Sequence, residues 1–304
     1  MTRILLIGSN GQVGFELANL LAGVGELVAA GRESIDLCRP ESIRSAVREV
    51  KPGLIINAAA YTAVDQAEAE PDLAMAVNGI APAILADEAK RISAALIHYS
   101  TDYVFDGLKE NAYVEDDSPR PLNSYGRSKL AGEQAILAAG VPHLIFRTSW
   151  VYGPRGRNFM LTMLRLAVER ERVQVVNDQW GVPTSSPWLA QTTVDILGLL
   201  GTGTESFVDA IAARSGIYHL VPGGRTTWYD FASSILANAR RPGGRDVRVQ
   251  THKAAVLEPI RTDQYPVRTL RPQNSVLSNE KAMLAFGLDL PPWSRVLDDC
   301  MSRP

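Results

Sequence analysis

Two cysteines in 304 residues, Cys38 and Cys300, leave no material for a disulfide framework, and neither stands in a Cys-x-x-Cys or other metal-ligand spacing. The four histidines, His98, His143, His219 and His252, are scattered, so no zinc site and no other metal site is assigned. No run of about 18 apolar residues occurs, and the stretch Met1 to Ile7 is too short for the hydrophobic region of a signal peptide. The expectation is a soluble, cytoplasmic protein with no membrane partner. A formal net charge of −2 without a lysine or arginine block offers no broad basic field, which argues against nucleic acid as a partner.

What remains is a globular composition long enough for one large domain or two small ones with a sizeable core. Apolar runs and helical stretches alternate through the first half, with strands near 3–7, 26–30, 53–57, 94–99 and 143–147 and helices near 12–22, 40–50, 72–91 and 124–139. Such alternation predicts an α/β fold with a doubly wound parallel sheet of the Rossmann kind. After Arg147 to Pro154 it weakens, and strands near 173–176 and 217–221 are separated by longer connections. Trp188 to Leu200 reads as a further sheet-packing helix, Gly201 to Gly216 as a loose connection and Arg240 to Arg245 as a solvated loop. The expected division is a dinucleotide-binding domain over 1–150, with a returning segment about 186–222, and a smaller C-terminal substrate-binding lobe over about 151–185 and 223–304.

Two segments carry chemistry. Ile4-Leu5-Leu6-Ile7 breaks into Gly8-Ser9-Asn10-Gly11-Gln12-Val13-Gly14 and then a helix, an order of strand, glycine turn and helix. Glycines let the backbone turn sharply and approach a pyrophosphate, whose charge is received by free amides at the helix start. The spacing is G-x-x-G-x-x-G rather than G-x-G-x-x-G, so its place directly after an apolar strand matters more than the pattern itself. Downstream, Tyr125 and Lys129 stand four apart in a helical stretch and therefore share a face. A lysine ammonium beside a phenol would pull its pKa down from about 10 and make it a proton donor near neutral pH. Thr101 lies at the C-terminal end of the strand before them, where open α/β sheets present ligand-contacting groups. Asn57-Ala58-Ala59-Ala60, small residues at another strand end, suit either a close cofactor or tight strand–helix packing.

GSNGQVG, NAAAYTAVDQAEAEP, HYSTDYVFDG, PLNSYGRSKLAGE, RTSWVYGP, NDQWGVPTS, TTWYDFA and RPQNSVLSNEK together resemble the extended short-chain dehydrogenase/reductases, and within them the dTDP-4-dehydrorhamnose reductase family, nearly end to end. That resemblance implies NADPH-dependent reduction of the C4 carbonyl of dTDP-4-dehydro-L-rhamnose to dTDP-L-rhamnose, the last step in making that sugar nucleotide. It implies Tyr125 as proton donor, Lys129 as the group that tunes the phenol and binds the nicotinamide ribose, and Thr101 as the group that polarises the carbonyl. Gly8, Gly11, Gln12, Val13 and Gly14 would bind the cofactor, with Gly11, Gln12 and Val13 holding the pyrophosphate. Asp36 and Leu37 match the adenine side, and Ala59, Ala60, Tyr61 and Tyr99 would line the dinucleotide. Thr101, Asp102 and Trp150 match sugar-nucleotide contacts. From chemistry alone Trp150 would more often be core, while Asp102 could equally be a turn residue and Arg271 a surface charge, although an arginine fork suits a diphosphate substrate; Arg225 and Arg268 are weaker candidates.

The second strand ends in Ala29-Ala30-Gly31-Arg32, without the acid that would bind the ribose 2′-hydroxyl of NADH. Arg32 could meet a 2′-phosphate instead, which predicts NADPH over NADH, while Glu33 leaves NADH open as a second cofactor. Some relatives dimerise through a bridging Mg2+. Glu16 is present for such a contact, but Pro187 stands where an acid would be needed, which puts a Mg2+-linked homodimer in doubt and leaves the oligomeric state open. Two rivals share the motifs: a sugar-nucleotide epimerase or dehydratase, and a non-enzymatic regulatory subunit. A dehydratase would carry an acidic pair after Thr101, whereas Asp102 is followed by Tyr103, and a regulatory subunit predicts loss of the catalytic set.

Overall fold

The computed structural model describes residues 2–201, 206–241, 256–266 and 269–302. The predicted apolar runs become β1 (Arg3–Ile7), β2 (Glu26–Ala30), β3 (Leu54–Asn57), β4 (Ala95–Thr101) and β5 (His143–Thr148). They form one parallel sheet with the later strand Gly216–His219 at its edge, in the order β2-β1-β3-β4-β5-(Gly216–His219). The strand order reverses between β1 and β3, and the crevice outside their C-terminal ends is where such sheets bind ligands.

The central strands β1 and β3 read as continuous apolar runs because both faces are covered. Ile4 and Leu6 of β1 pack with Leu17 and Leu21 of α1 (Gln12–Leu21) and with Leu189, Ile196 and Leu197 of the helix Ser186–Leu200. Leu5 and Ile7 face the other way, onto Ile43 and Val47 of α2 (Pro40–Val50) and Leu85 of the helix Ala81–Arg91. A separate core of Tyr152, Met160, Met163, Phe231, Ile235, Leu297 and Met301 holds the C-terminal part together.

Three expectations change. The helical stretch expected over 72–91 is interrupted by a π-helical turn at Ala76–Ile80, between Pro71–Met75 and Ala81–Arg91. The connection from Gly201 to Gly216 contains a helix, Phe207–Ala212, started by Ser206, whose hydroxyl accepts from the Asp209 amide. Arg240 ends a helix, Trp228–Arg240, rather than opening a loop, and residues 242–245 lie outside the described residues. Residues 280–286, within the stretch assigned to the second lobe, form a helix (Glu280–Phe286) whose Ala282 and Phe286 pack in the core beneath the sheet. No described helix is long and apolar enough to cross a membrane.

Candidate active site

A cleft of about 770 Å3 runs across the C-terminal ends of β1, β3, β4 and β5, and nearly every residue singled out by sequence lines it. At one end stands the glycine turn. Gly8 has φ +86° and its amide donates to the Ala30 carbonyl; a Cβ there would fall 2.6 Å from the Ala59 amide nitrogen, so only glycine lets the turn meet the β3 end. Gly11 caps α1 without a side-chain hydrogen bond, and no acid occupies the first helical turn, which leaves the helix amides free for an anion. Gln12 and Val13 line the cleft, but Gly14 does not. Its Cβ would fall 2.0 Å from the Gly8 carbonyl oxygen, so Gly14 brings helix and turn together instead of touching a ligand.

Arg32, Asp36 and Leu37 line the far wall. The Asp36 carboxylate accepts from the Cys38 amide and the Asp36 amide donates to Ser42, which fixes the loop. Arg32 is exposed. Ala59, Ala60 and Tyr61 form the adjoining wall, and Tyr61 is braced by the π-helical turn: Asn78 accepts from the Tyr61 amide at 2.9 Å and donates to its carbonyl and to the Ser128 hydroxyl, both at 3.0 Å. A π-turn at a functional wall is a known pattern, since the extra residue re-aims a side chain.

The opposite end gathers the chemistry. Thr101 closes β4, donating to Asp102 Oδ1 at 3.0 Å and accepting from the Tyr103 amide at 3.2 Å. Asp102 is 2% exposed, and burial pushes its carboxyl up to about 7; Oδ2 lacks a partner in hydrogen-bond geometry although Ser275 lies close by. Tyr125 opens the helix Ser124–Ala139, whose start is capped by Asn123 accepting from the Gly126 amide at 2.8 Å. Its ring meets Tyr103 edge-on at 5.8 Å. Lys129, one turn later and 1% exposed, donates to the Tyr99 carbonyl at 2.5 Å and meets His98 Nε2 at 3.1 Å.

The expected depression of the tyrosine does not appear. Burial pushes Tyr125 up to about 12, against the pull of the Thr101 hydroxyl and with a smaller push from the Asp102 charge, while the Lys129 amine donates to the Tyr99 carbonyl of β4. Burial also lowers Lys129 to about 8, with the Glu133 carboxylate opposing. Glu133 in turn is held by Arg147 at 2.9 and 2.7 Å and by the Ser100 hydroxyl at 2.5 Å.

Trp150 lines the cleft with φ +47°, its indole stacked 3.5 Å from Trp228 and held against Gly181, where a Cβ would come within 2.4 Å of the ring. Arg271 does not line it: its guanidinium pairs with Asp65 at 2.9 Å. Arg225 stacks on Trp180 at 4.8 Å, also away from the cleft, and Arg268 lies outside the described residues. Pro187 is buried in the first turn of the helix Ser186–Leu200. Among the described residues no group of three or more His, Cys, Asp or Glu could hold a metal ion.

Sequence reading missed Trp228, Arg157 and the braces Asn78 and His98. Trp228 lies within the segment TTWYDFA, so a signal for it existed, whereas Arg157 sits in a loop with no pattern. The cleft suits a dinucleotide at the glycine end, given the side-chain-free approach at Gly8 and the uncapped helix, and a polar substrate at the tyrosine end.

Residues 1–303 match the family described as the RmlD substrate binding domain. A dTDP-4-dehydrorhamnose reductase of Burkholderia thailandensis is 45% identical over 300 residues, 98% of each chain. One from Escherichia coli K12 is 44% identical over 294 residues, 95% of this chain and 94% of the relative. Among solved structures, the dTDP-4-dehydrorhamnose reductase of Bacillus anthracis in complex with NADP superposes with a TM-score of 0.86 at 32% identity, covering 98% of each chain.

Proposed function

Because this chain belongs to the RmlD substrate binding domain family, we propose that it reduces the C4 carbonyl of dTDP-4-dehydro-L-rhamnose to dTDP-L-rhamnose with NADPH as reductant. The observation that carries this reading is that Thr101, Tyr125 and Lys129 line the same cleft as the glycine turn, so a proton donor and a dinucleotide cradle face one space. Reduced nicotinamide, when bound, supplies hydride to the carbonyl carbon.

The chain's own part is the proton and the charge. Tyr125, pushed up to about 12, carries its proton throughout the neutral range and is loaded to donate to the carbonyl oxygen. Thr101, whose one hydroxyl proton goes to Asp102 in the resting site, would turn it toward the phenolate left behind. Lys129, lowered by burial to about 8, is mainly cationic at neutral pH and would bind the nicotinamide ribose, as the resemblance implies. Asp102 has an unpartnered carboxylate oxygen for a sugar hydroxyl, and Trp150 gives a flat apolar wall. The glycine turn and α1 amides would hold the pyrophosphate, with Ala59, Ala60, Tyr61 and Tyr99 along the dinucleotide. Arg32 supports the choice of NADPH, since an exposed guanidinium on the wall shared with Asp36 suits a 2′-phosphate. In the same reading, 1–150 with 186–222 serves the dinucleotide and the remainder serves the sugar nucleotide.

The test is loss of NADPH absorbance with dTDP-4-dehydro-L-rhamnose generated in situ, beside NADH and substrate-free controls, with the product identified by chromatography. Substrate-dependent oxidation yielding dTDP-L-rhamnose is expected. Arg32→Ala should erode the advantage of NADPH over NADH. Cofactor binding without turnover would move the assignment to another sugar nucleotide or a regulatory role.

A further inference from the structure

His98 is fully buried on β4 and touches two partners, one through each ring nitrogen: Nδ1 faces Asn57 Nδ2 at 3.2 Å, and Nε2 faces Lys129 Nζ at 3.1 Å. The Asn57 amide is oriented by its other end, because Oδ1 accepts from the Ala59 amide at 3.2 Å. Asn57 therefore presents an N–H to Nδ1, which must answer with a lone pair. A neutral imidazole with a bare Nδ1 carries its proton on Nε2, and that N–H points at Lys129. An ammonium has only donors, so this arrangement is satisfied when Lys129 is the free amine and accepts from His98. Nζ can still donate to the Tyr99 carbonyl in this state.

A charged Lys129 requires the opposite arrangement. The ammonium then donates to a bare Nε2, the imidazole proton sits on Nδ1, and Asn57 must turn its amide so that Oδ1 receives it. That turn takes the acceptor away from the Ala59 amide, on the wall of the cleft. We propose that Asn57 and His98 form a buried tautomer switch in which His98 is a positioning residue for Lys129, so that the charge of the lysine and the orientation of the Asn57 amide change together. Going from one state to the other takes up one proton from solvent: the Nε2 proton moves to Nζ, and a new proton occupies Nδ1. Atoms and charge balance with no co-reactant.

The groups facing this pair fit the switch. From the Ser124–Ala139 helix come Tyr125 and Glu133, from β5 Arg147 bound to Glu133, from β4 the Tyr99 carbonyl, and from β3 Asn57. Burial and the neighbouring lysine both hold His98 well below the ordinary imidazole range, so it stays neutral and has only its tautomer to change. Burial lowers Lys129 to about 8, which brings its titration close to neutral pH.

The experiment is nitrogen NMR of the full chain with 15N-labelled histidine, free of ligand, across the pH range in which Lys129 titrates. His98 should move from the Nδ1–H tautomer at low pH to the Nε2–H tautomer at high pH, with a midpoint near that of Lys129. Lys129→Met should abolish the change. Asn57→Asp, which offers only acceptors, should lock His98 with its proton on Nδ1. One fixed tautomer in the wild-type protein, or a change that survives Lys129→Met, overturns the proposal; a change that survives Asn57→Asp removes Asn57 from it. The proposal rests on Lys129 belonging to the reaction above, but the readout needs no turnover, so the two can fail separately.

Discussion

At the residue scale the site is built by burial more than by pairing. Tyr125 reaches about 12 and Asp102 about 7, both mainly through loss of water. Replacing Tyr125 with Phe removes the proton and little else, so turnover should fall by about 10²–10⁴-fold while the affinity for NADPH, followed by fluorescence titration, stays near wild type. A mutant with full turnover would take Tyr125 out of the proton-donor role. For Asp102 the sign is that of a raised carboxyl. Its preference for the neutral form contributes stability that is complete below the ordinary 3.8 and is lost as pH rises through about 7. The interval corresponds to about 4 kcal/mol at most. Asp102→Asn lacks this loss, so the difference in unfolding free energy between variant and wild type, from urea melts, should swing in favour of the variant between acid and mildly alkaline pH. Parallel pH profiles would show that Asp102 is ionised at little cost. The identities of these residues were legible in sequence; the environment that sets their protonation was not, because the lysine read as the partner of a phenol spends its hydrogen bonds on β4.

At the scale of elements, one buried ion pair ties the catalytic helix to the sheet. Glu133 follows Lys129 by one turn and is bound by Arg147 of β5 and Ser100 of β4, so the face carrying Tyr125 and Lys129 is anchored to both strands. Both charged groups are about 2% exposed or less. Removing one partner strands the other in a medium that cannot solvate it, so Glu133→Gln and Arg147→Met should each cost about 3–5 kcal/mol. The double variant should cost clearly less than the sum of the two, as measured by a double-mutant cycle in urea; simple additivity would mean that the pair contributes only packing. This link could not be read from sequence, since the spacing between Glu133 and Arg147 has no helical or strand period and depends on how a helix crosses two strands. By contrast the sheet was legible, because strands covered on both faces read as near-continuous apolar runs, as in Ile4–Ile7 of β1 and Leu54–Ile56 of β3, and even β4 and β5 keep the runs Ala95–Ile97 and Leu144–Phe146 ahead of their polar ends. The π-turn at Ala76–Ile80 and the helix Phe207–Ala212 were hidden for local reasons: the first keeps helical composition throughout, and the second is too short to show a period.

At the scale of the whole molecule the two cores meet over the glycine turn. Asn158, at the start of the helix Phe159–Glu169, donates to Gln12 Oε1 at 2.8 Å, and its own Oδ1 accepts from the Leu161 amide at 3.0 Å. Beside it the Arg155 guanidinium lies 3.3 Å from the centre of the Phe15 ring, and Arg157 lines the cleft. The loop between the cores is thereby fastened to the segment proposed to hold the pyrophosphate, so a ligand seated there should be felt by both. Asn158→Ala loses a helix cap, which alone costs about 1 kcal/mol of stability. It also loses the link to Gln12, and that second effect is separable because it changes what NADPH does. A ligand at about 100 times its Kd stabilises the folded state by about 2.7 kcal/mol, and in the variant the same cofactor concentration should yield visibly less, with Kd weakened several-fold. Thermal unfolding with and without NADPH, together with a direct binding titration, distinguishes the two. A lower Tm with an unchanged cofactor increment and unchanged Kd would reduce Asn158 to a cap and leave the two cores independent at this seam.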